Sequence, residues 1–210
     1  MKLLIVGASR GTGQQLVVQA LSGGHAVTAF ARHPERIVAN HDRLRKLKAN
    51  VLDPASVLEA VAGQDAVVLV LGKRTPWEPP PDLFLRGTQN VLEAMAATGV
   101  RRLVCVTGIG AGDSRGHGGL LYDTLFRSFM IKRLYDDKDR QEALVQASGA
   151  DWTIVRPGFL TNGPLTGEYR ALTDLEGVTA GGISRADVAH FILQELATAR
   201  YLRRCPLLTA

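Results

Sequence analysis

At 210 residues, with 46% hydrophobic and 21% charged side chains, the chain has the size and make-up of one globular domain, residues 1–210. No apolar run approaches the roughly 20 residues of a membrane-spanning helix, which excludes that class. The net charge of +5 gathers at 43–48, at Arg101–Arg102 and at Arg200, Arg203 and Arg204 without interleaved aromatics; these read as solvated faces, not a nucleic-acid surface, and a mild positive field suits a polyanionic small molecule.

Taken in chain order, Met1–Lys2 leads straight into a strand, which predicts no leader peptide. Strand-like runs follow at 2–7, 26–31, 44–51, 66–72, 102–108 and 151–157, with helical patterns at 12–23, 54–62, 83–98, about 121–148 and 184–198. Several runs are apolar at consecutive positions, as strands covered on both faces are. The alternation predicts a doubly wound, parallel α/β sheet with helices on both faces. Punctuation agrees: Asp53–Pro54 opens a helix, Gly99 and Gly149 close two, and Ser184 with Asp187 reads as a capping box. Cys105, inside RLVCVTG, and Cys205 stand at no metal-ligand spacing. A reduced, cytoplasmic protein without a metal site is expected, a monomer or weak homodimer.

The first turn carries the chemistry. GASRGTG places Gly7, Gly11 and Gly13 between a strand and a helix in a strand–helix–strand unit of about 30 residues. Glycines there allow close backbone approach, and the helix N-terminus offers amide donors to a pyrophosphate. Ser9 and Thr12 add hydroxyls. At the end of the second strand, where a carboxylate would bind the ribose hydroxyls of NAD, the sequence reads ARHPER. Arg32 and Arg36, with Arg10 of the glycine loop, suit a 2′-phosphate, so NADP is expected over NAD. Asn50–Val51 is placed to meet the adenine, and Asp53 to cap the following helix. The interruptions at 73–82 and 156–169 both follow strands and so belong at the carboxyl edge, where open α/β sheets bind ligands.

No tyrosine is followed four residues later by lysine: Tyr122, Tyr135, Tyr169 and Tyr201 precede Phe126, Asp139, Thr173 and Cys205. The Ser-Tyr-Lys alcohol dehydrogenase pattern is therefore absent, and with it the case for a nucleotide-sugar epimerase. VAGQDAVVLVLGKR (61–74), GTQNVLEAM (87–95), PLTGEY (164–169) and ISRADVAHFIL (183–193) instead resemble the atypical short-chain dehydrogenase/reductase family that contains biliverdin-IXβ reductase, also called NADPH-dependent flavin reductase, with NmrA-like proteins as relatives. The likeness runs over essentially the whole chain. It implies a one-domain Rossmann fold, NADP(H), and an apolar site for flat acceptors, flavin first and bilin or quinone second. The alternative it leaves open is a non-catalytic, NADP(H)-sensing regulatory protein.

By that resemblance Gly7, Thr12 and Gly13 belong to the phosphate loop and Arg32 and Arg36 to the 2′-phosphate site. Leu71 and Gly72 count as cofactor contacts, and Arg74 and Thr107 as residues of the active site. Gly108 stands where the family has serine, and 109–137 is longer than its counterpart. Such an acceptor needs stacking on the nicotinamide more than a positioned acid. Arg74 reads as a substrate or cofactor clamp, or else a solvated loop residue; Trp77 as a stacking wall or a loop anchor. Lys138, four residues before Glu142, forms either a surface ion pair or a contact to the nicotinamide ribose. The backbone of Arg156, Pro157 and Gly158 is placed to meet the carboxamide, Phe159 and Leu160 to floor the acceptor site. His117 and His190 read as structural or exposed.

Overall fold

The computed structural model describes residues 1–73, 75, 78–117 and 129–210, with side chains omitted for 129–132. Arg74 and Trp77 lie outside the described residues, as do residues 118–128 of the long segment after the fifth strand. The strands are β1 (Lys2–Val6), β2 (Ala26–Ala31), β3 (Leu44–Lys48), β4 (Ala66–Leu69), β5 (Arg102–Val106), β6 (Asp151–Pro157), β7 (Phe159–Thr161), β8 (Arg170–Leu172), β9 (Gly182–Ser184) and β10 (Leu207–Thr209). The helices are α1 (Thr12–Ser22), α2 (Pro54–Val61), α3 (Leu83–Thr98), α4 (Phe129–Ala147) and α5 (Arg185–Thr198).

The sheet runs β3-β2-β1-β4-β5-β6-β10-β8 and is parallel except for β8, which runs against β10; β7 and β9 pair separately. Consecutive apolar residues in β1 serve both faces. Leu3 and Ile5 pack under α1 and α5, and Leu4 and Val6 under α2, α3 and α4. The chain leaves β1 toward β2 and β3, then returns to place β4 on the other flank of β1. That reversal opens a crevice beyond the carboxyl ends of β1 and β4.

Local signals behave as read. The Asp53 carboxylate accepts from the Ala55 amide, and Gly99 ends α3 with φ of 75°. Strands β3, β4 and β5 stop two or three residues short of the apolar runs that announced them, because the remaining residues turn into the crevice. The short strands β7 to β10 have three residues each, too few to carry a period. Arg102 is not on a solvated face: its guanidinium lies 2.8 Å from the buried Glu195 carboxylate and donates to Thr153 and to the Asp151 carbonyl. Among the described residues no helix is long and apolar enough to cross a membrane.

Candidate functional site

The turn between β1 and α1 is built on two close approaches. Gly7 has φ of 94°, and a Cβ there would run into the Val70 carbonyl oxygen; one at Gly13 would run into the carbonyl of Gly7 itself. Strand, turn and helix can meet so tightly only without those side chains. The consequence is a row of open donors. The amides of Ser9, Arg10, Gly11 and Thr12 have no hydrogen-bond acceptor among the described residues, and they lie at the positive end of α1. This cradle suits an anion bound through backbone N–H groups.

The cradle opens into a cleft of about 700 Å³ along the carboxyl edge. Gly7, Ser9, Arg10, Gly11 and Thr12 line its centre. Arg32, His33 and Arg36 line one end, with Asn50 and Val51 beside them. Gln14 donates to the Arg36 carbonyl at 2.7 Å, which ties the turn carrying Arg36 to α1. Asn90 donates to the Val51 carbonyl at 2.8 Å and holds that stretch against α3. Arg32 stands 3.3 Å from Glu78, a pairing across to the proline-rich loop that spacing in the chain did not reveal.

At the other end the cleft is lined by Leu71, Gly72, Lys73, Thr107 and Lys138, with Phe84, Leu134 and Leu160 as apolar wall. The Thr107 hydroxyl donates to Glu142 at 2.6 Å, so toward the cleft it offers lone pairs and no proton. Glu142 is buried and also binds Arg156 through both oxygens, at 3.1 Å and 2.6 Å. The surface ion pair between Lys138 and Glu142 is thereby overturned. Helical spacing makes the two residues neighbours, but that side of α4 faces β5 and β6. Lys138 instead sends its ammonium to the Thr107 carbonyl. Burial lowers its pKa to about 8, against the opposing pull of Glu142. A Cβ at Gly108, where φ is 139°, would lie 3.4 Å from Lys138 Nζ. Glycine in place of the family's serine leaves that space to the ammonium.

Asp137 anchors this end from below. Its carboxylate accepts from the amides of Phe84 and Leu85, at 2.9 Å and 3.2 Å, and so caps α3. Burial raises its pKa, partly offset by those two amides.

Five expected contacts lie elsewhere. Gly13 is part of the turn's framework rather than of the cleft lining. Arg156, Pro157, Gly158 and Phe159 do not line the cleft: Arg156 is buried against Glu142, the Pro157 carbonyl accepts from Ile109, a Cβ at Gly158 would run into the Gly181 carbonyl, and Phe159 sits on the exposed β7. Leu160, Asn162 and Arg185 take that side instead. Arg185, which no local signal distinguished, donates to Asn162 at 2.7 Å, and its side chain lies where a Cβ of Gly11 would point. The PLTG segment is held by Asp187, which accepts from the Thr166 and Gly167 amides at 2.8 Å each. His117 and His190 are structural, bonded to the Val178 carbonyl and the Tyr169 hydroxyl. Among the described residues no cluster of His, Cys, Asp or Glu is arranged to hold a metal.

Comparison with known proteins agrees with the cleft. A family model described as NAD(P)H-binding matches residues 7–199. The protein named "Uncharacterized sugar epimerase YhfK", from Bacillus subtilis, is 29% identical over 201 residues, covering 93% of this chain and 88% of that one. A short-chain dehydrogenase/reductase from Veillonella parvula, solved in complex with NADP, superposes with a TM-score of 0.84 at 17% identity, over 100% of this chain and 94% of that one. ChuY of Escherichia coli O157:H7, described as an anaerobilin reductase, superposes with a TM-score of 0.83 at 22% identity, over 100% and 97%.

Proposed function

Because the chain belongs to the NAD(P)H-binding family, we propose that it is an NADPH-dependent reductase that passes hydride to a planar conjugated acceptor: flavin first, bilin or quinone second. The observation that carries this reading is the division of the cleft. One half is an anion cradle flanked by arginines; the other is an apolar wall carrying the Lys73 and Lys138 ammoniums and, among the described residues, no tyrosine. Tyr135, Tyr169 and Tyr201 are all off the cleft, and Tyr122 lies outside the described residues. This disfavours the epimerase chemistry named for the Bacillus relative, and the bilin reductase fold-neighbour favours a flat acceptor.

NADPH supplies the hydride when bound. The amides of 9–12 receive the pyrophosphate, and Arg10, Arg32 and Arg36 the 2′-phosphate. Asn50 and Val51 meet the adenine, while Leu71, Gly72 and Thr107 shape the nicotinamide end. Lys138, held at the Thr107 carbonyl, has free donors that would orient the nicotinamide ribose or the acceptor. Leu134 and Leu160 give that end an apolar wall against which a flat acceptor would lie. Arg74, outside the described residues, keeps both of its readings from the sequence, a clamp or a solvated loop residue.

The test is oxidation of NADPH, beside an NADH control, with FMN, riboflavin, biliverdin and a quinone offered in turn. Turnover of a planar acceptor with preference for NADPH supports the reading. Tight NADPH binding with no turnover of any acceptor replaces it with the NADP(H)-sensing regulatory protein.

A further inference from the structure

We propose that the acceptor end of the cleft binds the negatively charged substituent of its planar substrate, through the ammonium groups of Lys73 and Lys138. The inference rests on the reductase reading and narrows its substrate class to anionic acceptors.

The two lysines reach the same place from distant elements, Lys73 from the end of β4 and Lys138 from α4, and both line the cleft. Their Nζ atoms stand 5.6 Å and 5.3 Å from the centroid of one ring, that of Phe84, within cation–π range. Lys73 donates to the Pro81 carbonyl at 3.1 Å and Lys138 to the Thr107 carbonyl. An ammonium has three donors, so each keeps two for a ligand. Neither is within ion-pair distance of a carboxylate among the described residues. The acids that act on them do so from farther off or are already engaged. Asp137 spends both oxygens on the α3 amides, Asp82 faces Arg86, and Glu142 faces Arg156. Glu78, which alone among the described cleft-lining residues is acidic, stands at the Arg32 end.

Acids act on both ammoniums from a distance, Asp137, Asp82 and Glu78 on Lys73 and Glu142 and Asp137 on Lys138, but among the described residues none accepts a hydrogen bond from either. Their remaining donors face the cleft and suit an anion brought by the ligand. The cofactor's phosphates fall to the glycine loop and the arginines, and a reduced nicotinamide riboside carries no charge. The anion therefore belongs to the acceptor. A phosphate, as on a flavin mononucleotide, and a carboxylate, as on a bilin side chain, share the required chemistry.

Pairs of acceptors with one ring system and different charge test this: FMN against riboflavin, and biliverdin against its dimethyl ester. A charge-assisted contact predicts a kcat/KM about tenfold or more higher for the charged member. The pair that shows the larger ratio identifies phosphate or carboxylate as the substituent. Lys73→Met, checked for folding by circular dichroism, brings the ratio toward one, and Lys73→Arg restores it. Equal kcat/KM within both pairs overturns the inference, and an unchanged ratio in Lys73→Met removes Lys73 from it. If no acceptor is turned over, the reductase reading has failed. The charge preference is then read from equilibrium binding of the same pairs to the NADP⁺-loaded protein, where equal affinities overturn it.

Discussion

The Thr107 hydroxyl and the Glu142 carboxylate stand 2.6 Å apart, and the same carboxylate closes on Arg156 through both oxygens. Through this contact the end of β5, which faces the cleft, is fastened to α4 and to β6. The loop after β5 rests on the pair as well, because a Cβ at Gly112 would lie 2.7 Å from Glu142 Oε2. A buried ion pair thus holds the cleft's floor in register.

Removing one partner strands the other. Glu142→Ala leaves the Arg156 guanidinium, only 2% exposed, without its buried counter-charge. A loss of about 3–5 kcal/mol in urea denaturation is expected. Asp113 also pairs with Arg156, but its own side chain is 78% exposed, so Asp113→Ala costs less than about 1 kcal/mol. Equal effects of the two substitutions would show that the buried pair is not what holds the loop.

The glycine turn separates framework from lining. Gly7→Ala forces a Cβ into the Val70 carbonyl at a positive φ, and Gly13→Ala forces one into Gly7. Each is expected to lower stability by about 1–3 kcal/mol and to weaken NADPH binding with it. Gly72→Ala meets nothing within 4 Å and is expected to leave thermal stability within about 0.5 kcal/mol of the parent.

Arg32 must leave Glu78 to meet a 2′-phosphate. Glu78→Gln removes a competing carboxylate whose pairing, on an exposed arginine, is worth about 0.2–1 kcal/mol, so NADPH affinity rises by up to about fivefold. Arg32→Ala loses a charge-assisted phosphate contact of about 1.5–3 kcal/mol. Its preference for NADPH over NADH falls about tenfold or more while NADH binding holds. Calorimetric titration of both nucleotides reads both effects.

Lys138 couples stability and rate to pH in opposite directions. Its folded pKa of about 8 lies below the ordinary 10.5, so between those values the unfolded chain holds a proton that the native one has lost. The cost of burying the ammonium is therefore full below pH 8 and relieved as pH rises toward 10.5. Relative to Lys138→Met, the parent gains stability across that window. On the proposed reading, in which the charged form serves, reductase activity is expected to fall as pH rises through about 8. The Met variant lacks that limb, so an unchanged profile in it would remove Lys138 from the reaction.

The features legible without a structure are local in origin. The apolar runs, the glycines between β1 and α1, and the proline after Asp53 act within a few residues of themselves. They announced the doubly wound sheet and the phosphate turn, and Arg32 and Arg36 sat where the second strand had to end. What the tertiary structure alone decided is which distant groups meet. Spacing of four made Glu142 a neighbour of Lys138 on one helix, but only the packing of α4 on β5 and β6 turned it toward Arg156 and Thr107. Sheet order likewise brought Lys73 and Lys138 to Phe84, Glu78 to Arg32 and Arg185 to Gly11. Apart from Lys73 and Phe84, which are 11 residues apart, these pairings cross 46 to 174 residues of chain, and helix or strand period carries no information over such separations. The three-residue strands β7 to β10 escaped for the same reason: they exist because a partner edge is present, not because their own residues demand it.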